Sequence, residues 1–407
     1  MAGSVPAHVI IVGGGPAGMM CGFLLARAGV PVTVLEKHAD FFRDFRGGTV
    51  HPSTMQILAE LGLLERFLQR PHNRIDRAEI DFNGTLLTIG DLSHLNMPAP
   101  FIAMMPQWDF LDFLRAEAAA MPAFRLRMEA PVVKFVAEGG RVAGVRLADG
   151  EELLADLTIA CDGRDSLVRG ILPLEDLGAP IDVFWCRAPK PPGQRGGLRG
   201  TIRGRRLIVL IDRNDYWQCA YVIAKGRAEE IRARGIAAFR DDIRAAEPDL
   251  PGLDAALADW DAVKLLTVSL DCLTRWHQPG LLAIGDAAHA MSPVGGIGIN
   301  LAIQDAVAAA NILARPLSRG DPVDAMLHEV EDRRLLPTRI IQGAQRAAHE
   351  TILEKVVSGA ARTTRPLAFR LLNRFPVLRR IPGYFIGHGV RQEHVRSPAA
   401  EFGRRVH

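Results

Sequence analysis

The chain has 407 residues, 48% hydrophobic and 23% charged, with no biased tract, so it is globular and long enough for two substantial domains. No apolar run reaches the roughly 20 residues that span a bilayer, and five scattered cysteines (Cys21, Cys161, Cys186, Cys219, Cys272) show neither disulfide-framework nor metal-ligand spacing. A reducing, cytoplasmic setting without a structural metal is expected, and so is the absence of a nucleic-acid partner, though a total charge of +3 by itself says little.

The first element is a short β-branched run, Val9-Ile10-Ile11-Val12, of the kind buried in a parallel sheet. No basic region precedes it, so it reads as the first strand of a fold and not as a secretion signal. Gly13, Gly15, Ala17 and Gly18 follow at once in GGGPAG, and Met19 to Ala28 reads as a helix ended near Gly29. In such a strand, turn and helix the first glycine permits the tight turn. The second lets a pyrophosphate approach the backbone, and the third lets helix and strand pack closely. The phosphate charge would meet free N–H groups at the helix N-terminus. A second strand, Val32 to Leu35, ends in Glu36 and Lys37, and the acid is placed to accept hydrogen bonds from both hydroxyls of a ribose. That acid disfavours a ribose phosphate, so the turn predicts FAD or NAD in preference to NADP.

Farther along, Val132–Val136 and Val142–Leu147 alternate around Gly139-Gly140 as a hairpin does, and Leu153–Ala160 is predicted as a third strand running into Cys161-Asp162-Gly163. That strand would lift Asp162 toward the cofactor, and Gly163 would let the backbone come close. Arg164 and Arg169 would supply positive charge for a pyrophosphate or a nicotinamide cofactor. Leu281–Ile284 is again a buried-strand pattern ended by Gly285-Asp286, with Asp286 placed to accept from a ribityl hydroxyl. Pro293, Gly295, Gly296 and Gly298 then lead into a helix predicted from about Ile299 to Leu313. Small residues before a helix make an anion-receptive nest. Reduced flavin carries negative charge near N1 and the C2 carbonyl, which a helix N-terminus stabilises. His289 and Asn300 flank this loop, and His289 reads as a structural hydrogen-bonder.

In this order and spacing the three stretches resemble those of the class A flavoprotein monooxygenases, the aromatic hydroxylases related to p-hydroxybenzoate hydroxylase and the ubiquinone-pathway hydroxylases. The resemblance covers residues 8–320. Gly13, Gly15, Gly18 and Glu36 match the ADP-binding turn, and Asp162 with Gly163 the motif that serves both FAD and NAD(P)H. Asp286 matches the ribityl-binding aspartate, and Pro293, Gly296, Gly298, Ile299 and Asn300 the loop beneath the isoalloxazine. Arg46 with Gly47, in DFRGGTVHPST, resembles the flavin-contacting arginine loop; Gln107, opening QWDFLDFLRAEA, resembles the ribityl-contacting glutamine. The implied fold is α/β, with a Rossmann-like, p-hydroxybenzoate hydroxylase-like FAD-binding domain in three pieces (1–72, 107–173 and 276–320). A β-sheet substrate domain (73–106 and 174–275) is interleaved with it, and a helical C-terminal region with a basic tail (321–407) follows.

The resemblance also implies a reaction. NADPH or NADH reduces FAD, O2 adds at flavin C4a, and the hydroperoxide transfers one oxygen atom to an aromatic or polycyclic small molecule. The cofactor carries that chemistry, so no catalytic side chain is assigned. Ile181–Trp185, Leu207–Ile211, Trp217–Val222 and Leu265–Leu270 are predicted as strands of one sheet over the flavin, with Leu210, Tyr221 and Val222 facing a largely apolar substrate pocket. The alternatives are a flavin-dependent reductase or dehydrogenase of a prenyl-type lipid at a membrane surface, and a flavin-binding protein without turnover. Residues 322–360 read as one long helical segment. Residues 361–407 hold ten arginines against two glutamates, a balance of +8 that leaves −5 for the rest of the chain. That tail is expected to dock on the acidic body, with peripheral membrane contact as the second reading. A monomer and a homodimer both fit.

Overall fold

The structure, a computed structural model, describes residues 5–42, 48–191, 193–194, 197–350 and 367–400. Val9–Val12 lies at the centre of a six-stranded sheet, between Leu157–Ala160 and Val32–Leu35, parallel to both and with Val9 opposite Leu157 and Val32. Leu281–Ala283 and Phe124–Arg127 extend the sheet on either side, again parallel, and His277–Gln278 closes one edge antiparallel. The four inner strands are buried along their whole length, as strands covered on both faces must be. From Val12 the chain crosses by the Pro16–Arg27 helix to Val32 on one side, and it returns much later to Leu157 on the other. The strand order therefore reverses at Val9–Val12, and a ligand crevice belongs at the carboxyl ends there.

The Gly298–Ser318 helix packs beside Pro16–Arg27 in the same core, joining Leu24 and Leu25 to Ala306 and Ala310. It runs five residues past the predicted end at Leu313. The stretch Val294–Ser318 is long and apolar enough to cross a membrane, contrary to the sequence reading, yet 72% of its apolar window is buried inside the fold. It serves here as a core helix.

The predicted meander is present with one difference. Val132–Glu138, Arg141–Leu147 and Glu152–Leu154 form a three-stranded antiparallel sheet turning on Gly139 and Gly140, both at positive φ. The third strand ends at Leu154, and Leu157–Ala160 is a separate strand of the central sheet. The break falls at Asp156, whose carboxylate and N–H bind the His8 N–H and carbonyl and pull the chain from one sheet to the other.

A seven-stranded sheet forms the second layer, in the order Lys264–Leu266, Ile181–Pro189, Tyr216–Ala224, Arg206–Asp212, Leu198–Arg203, Arg77–Phe82, Thr85–Asp91. Its pairs are antiparallel except Leu198–Arg203 with Arg77–Phe82. One face carries Val183, Trp185, Ile211, Ala220 and Val222 and packs with Ile75, Met104 and Val294 on the FAD-domain side. The other carries Phe184, Leu210, Cys219 and Tyr221 beneath the Ile236–Ala246 helix. That helix lies inside a segment that the sequence reads as β-rich. Two small sheets tie the layers together: Thr49–Val50 with Ile102–Met104 and Asn73–Ile75, and Leu174–Asp176 with Asp271–Leu273 and His289–Ala290.

The predicted 322–360 helix is Leu327–Ala348, and residues 351–360 lie outside the described set. Leu367–Arg374 and Arg380–Gly387 pack on Thr85–Asp91, where a Cβ at Gly383 would stand 1.9 Å from the Asp91 carbonyl. The chain then runs across the Leu327–Ala348, Gly298–Ser318 and Pro16–Arg27 helices. Glu393 meets Arg333, Asn311 receives the Arg396 and Ser397 N–H groups, and the Ala400 N–H reaches the Arg27 carbonyl. The tail thus acts as a strap as well as a pair of helices.

Candidate active site

Four segments leave the carboxyl edge of the central sheet side by side: Gly13 after Val12, Glu36 after Leu35, Cys161-Asp162 after Ala160, and Gly285-Asp286 beyond Ala283. They touch one another. Gly13 has φ +105°, and a Cβ there would stand 2.6 Å from the Cys161 carbonyl and 2.7 Å from the Asp162 Cα. Only glycine fits that approach. A Cβ on Gly285 would meet Ala17 at 3.0 Å, so the first and third motifs also abut. Arg164 joins the second to the third, with its Nε 3.3 Å from Asp286 Oδ2 and its Nη2 donating to the Met291 carbonyl at 2.8 Å.

Glu36 is buried, and its carboxylate accepts from the Gly14 N–H at 3.0 Å and the His38 N–H at 3.1 Å, bracing the turn. Lys37 is exposed at the rim, where its charge reaches Asp162. Burial pushes the Asp162 carboxyl above its ordinary range, although Ser166 and the Leu167 N–H donate to it. Its Oδ1 is buried without a partner. Gly163, at φ +91°, has nothing within 4 Å of a would-be Cβ and stands at an open edge.

Arg169 differs from expectation. It pairs with Asp271 at 2.9 Å, both side chains largely buried, and donates to the Asp286 carbonyl. Its charge is consumed in holding the third motif, and it is not available to a phosphate.

The third motif is stapled from below. Gly295 and Gly296 have φ +81° and +62°, and the Gly296 carbonyl accepts from Thr49 Oγ1 at 2.8 Å. Asn300 is buried and fully engaged: its Oδ1 accepts from the His51 N–H and Thr54 Oγ1, and its Nδ2 donates to the Thr49 and Gly296 carbonyls. The sequence placed Asn300 among cofactor ligands. Its side chain instead holds the loop that would contact the cofactor. Pro293, Gly296, Gly298 and Ile299 line the approach to the Gly298–Ser318 helix, which begins with no side-chain cap and no acid in its first turn. Gln107 opens the Gln107–Ala119 helix two residues after Met105, whose N–H donates to the Gly48 carbonyl. Arg46 and Gly47 lie outside the described residues.

Leu210 and Tyr221 are corrected outright. Both point into the core under Ile236–Ala246, and burial pushes the Tyr221 phenol up to about 12. Tyr221 and Val222 are neighbours in one strand, so the two-residue period sends them to opposite faces. Val222 lies on the opposite face with Ile211 and Ala220, packed with Met104 and Val294.

Beneath the third motif sits a buried charge cluster in which His289 is the structural hydrogen-bonder expected from the sequence, whereas Asp305 and Arg334 carry no sequence signal. His289 Nε2 lies 2.6 Å from Asp305 Oδ2, and Arg334 Nε lies 2.9 Å from Asp305 Oδ1, all three wholly buried. Burial alone would raise the Asp305 carboxyl, but His289 and Arg334 hold it below the usual carboxylate range. The same carboxylate accepts from the Gly285 N–H at 3.1 Å. No local pattern marks Asp305 or Arg334, because their partners lie far away in sequence.

A small cavity behind Asn300 is lined by His51, Gln304 and Gln392. His51 Nδ1 faces the Ile386 carbonyl at 3.0 Å, and its Nε2 has no partner. Burial pushes this imidazole down to about 4 from 6.5. The unfolded chain therefore binds the proton more tightly, and stability falls as pH drops through about 6.5 and continues to fall to about 4, by up to about 3 kcal/mol. Melting curves of the apoprotein over that window should show the decline, and His51→Asn should flatten it. An equal slope in the variant would exclude His51 as the source.

These positions suit an FAD. The Gly15 position has nothing nearer than the Cys161 carbonyl at 4.0 Å from a would-be Cβ, leaving room for a pyrophosphate. The Pro16–Arg27 helix begins uncapped, with no acid in its first turn. The orphaned Asp162 Oδ1 lacks only a donor such as a cofactor hydroxyl. Residues 6–344 match the family described as FAD binding domain. The chain belongs to that family. It is 33% identical to the 6-methylpretetramide 4-monooxygenase of Streptomyces rimosus, over 97% of this chain and 95% of that enzyme. It is 30% identical to a rifampicin monooxygenase of Streptomyces venezuelae, over 73% of this chain and 62% of that enzyme. Its fold resembles the crystal structure of a p-nitrophenol 4-monooxygenase from Pseudomonas putida (TM-score 0.75, 20% identity, 95% of this chain and 99% of that one). The protein is an FAD-dependent monooxygenase of the class A, aromatic-hydroxylase type.

Proposed function

We propose that this monooxygenase uses NADPH or NADH with O2 to hydroxylate a polycyclic aromatic molecule. The observation that carries the reading is the near end-to-end similarity to an enzyme named as a monooxygenase of 6-methylpretetramide. An apolar sheet face of Ile211, Ala220 and Val222, packed with Met104 and with Val294 of the third motif, supports it.

FAD, once bound, supplies the redox chemistry and the activation of oxygen. The chain's own residues position and shield it. The Gly13–Gly18 turn and the uncapped helix start would receive the pyrophosphate, Glu36 braces the turn, and Asp162 and Asp286 would offer acceptors to the cofactor's hydroxyls. Gly296 and the first N–H groups of Gly298–Ser318 would hold the ring and favour negative charge developing on it. Thr49 and Asn300 keep that backbone in place before any ligand arrives, so little reorganisation is needed on binding.

The test is turnover by FAD-loaded protein with 6-methylpretetramide as the probe, comparing NADPH with NADH. The expected result is reductant consumption stimulated by the probe and a product heavier by one oxygen atom. Reductant oxidation that yields only hydrogen peroxide, with each polycyclic phenol tried, would overturn the reading.

A further inference from the structure

The C-terminal region divides in two. Residues 391–400 are tied to the body through Arg333, Asn311 and Arg27, whereas residues 370–384 leave much of their surface uncovered. Of the fifteen large apolar side chains that the described residues expose, five fall in that short stretch: Leu371, Phe375, Val377, Ile381 and Tyr384. Val377 is 62% exposed and Ile381 67%. These side chains are surplus to the core, because the inner face of the two helices is already filled. Phe369 meets Phe82 edge to face at 6.2 Å, and Leu372 and Ile386 join the same cluster as Leu87 and Leu92. A Cβ on Gly387 would stand 2.4 Å from Leu95 Cδ1, so the Arg380–Gly387 helix lies hard against the fold.

The charge on this face has one sign. Residues 367–390 hold Arg370, Arg374, Arg379 and Arg380 and not one Asp or Glu. Among the described residues no carboxylate pairs with any of the four. Arg379 Nε instead donates to the Leu372 carbonyl at 3.0 Å, and the Arg374 guanidinium lies over the Phe375 ring. Exposed aromatic and aliphatic side chains set among arginines suit a segment that lies in the plane of a bilayer surface. The apolar groups enter the acyl boundary, and the guanidinium heads reach the lipid phosphates. A clustered apolar patch of this kind marks a contact surface. A second copy of the chain is the poorer occupant, because a two-fold contact would set four arginines against four with no carboxylate on the face to answer them.

We propose that residues 370–384 form a docking face for the surface of an anionic lipid bilayer, with Phe375, Val377, Ile381 and Tyr384 entering the surface and Arg370, Arg374 and Arg380 held at its headgroups. The contact is peripheral and reversible, since Leu367–Arg374 and Arg380–Gly387 are eight residues each and far too short to span a bilayer. Nothing in the inference uses the flavin site, so its fate is separate from that of the substrate reading.

The experiment is co-sedimentation of the FAD-loaded full chain with lipid vesicles at low and high salt. One set is phosphatidylcholine alone, and the other is phosphatidylcholine mixed equally with phosphatidylglycerol. The anionic vesicles should bind at least about tenfold more tightly, an advantage that high salt erodes. Phe375→Ser with Ile381→Ser should weaken binding by at least about tenfold. Arg374→Gln with Arg380→Gln should remove most of the preference for the anionic lipid. All four side chains are exposed, so both variants should melt and bind FAD as wild type does. Wild type that stays in solution with both vesicles overturns the proposal, as does equal binding to the two. An apolar variant that binds like wild type, or an arginine variant that keeps the full preference, overturns it as well. So does sedimentation velocity in which wild type is a dimer and the apolar variant a monomer, since the face then belongs to a second copy.

Discussion

Gly15→Ala is expected to leave the apoprotein about as stable as wild type and to weaken FAD binding on the order of a hundredfold. Gly15 is the N-cap of Pro16–Arg27 with φ −73° and ψ −175°, a conformation open to any residue. A methyl group there would find its nearest protein atom 4.0 Å away, so the fold does not require glycine. The space it would fill is the one a pyrophosphate needs. Gly18→Ala makes the contrast, because its Cβ would stand 2.0 Å from the Gly13 carbonyl and the helix could not lie where it does. Thermal melts of the apoproteins and titration with FAD separate the two effects. Gly15→Ala protein that binds FAD like wild type would show that the pyrophosphate lies elsewhere.

Arg334→Met should cost about 3–5 kcal/mol of stability, the range for removing one partner from a buried charge cluster. Arg334 is wholly buried and holds Asp305 at 2.9 Å, the Arg391 carbonyl at 3.2 Å and Glu393 at 3.4 Å. Without it, Glu393 still has Arg333, but Asp305 has only His289 to balance a buried negative charge. The loss should reach the active site, because Asp305 also receives the Gly285 N–H, so FAD affinity is expected to fall with stability. Adding Asp305→Asn to Arg334→Met should restore part of the loss, as removal of both partners leaves no unpaired charge. Denaturant melts of the two single variants and the double give the answer. Strictly additive losses would mean that the residues do not act as a unit.

Residues whose roles depend on neighbours in sequence were legible from the chain. Val9–Val12, Val32–Leu35 and Leu281–Ala283 are strands because a short β-branched run has few other uses, and Gly13 and Gly18 are obligatory because backbone geometry excludes a Cβ. The order of the three motifs along the chain was enough to select the family. The hairpin at Gly139-Gly140 also follows local rules, since its turn needs two positive φ angles.

Most of what failed needed a partner distant in sequence. Alternation shows that Leu210 and Tyr221 are buried in a strand but not which face meets the flavin, and that depends on the Ile236–Ala246 helix covering the other side. Asn300 and Arg169 have the right chemistry for a ligand contact, yet Thr49, His51 and Asp271 reach them first. Asp305 and Arg334 carry no motif at all; they became a pair only when the Gly298–Ser318 and Leu327–Ala348 helices brought them within 2.9 Å. The strap at 391–400 reads as a basic tail until its hydrogen bonds to Asn311 and Arg27 are seen. Sequence alone therefore determined the family and its cofactor, because phosphate and ribose recognition is written in backbone turns a few residues long. The tertiary structure decided which groups are left over for a partner, because that depends on which contacts the fold has already satisfied.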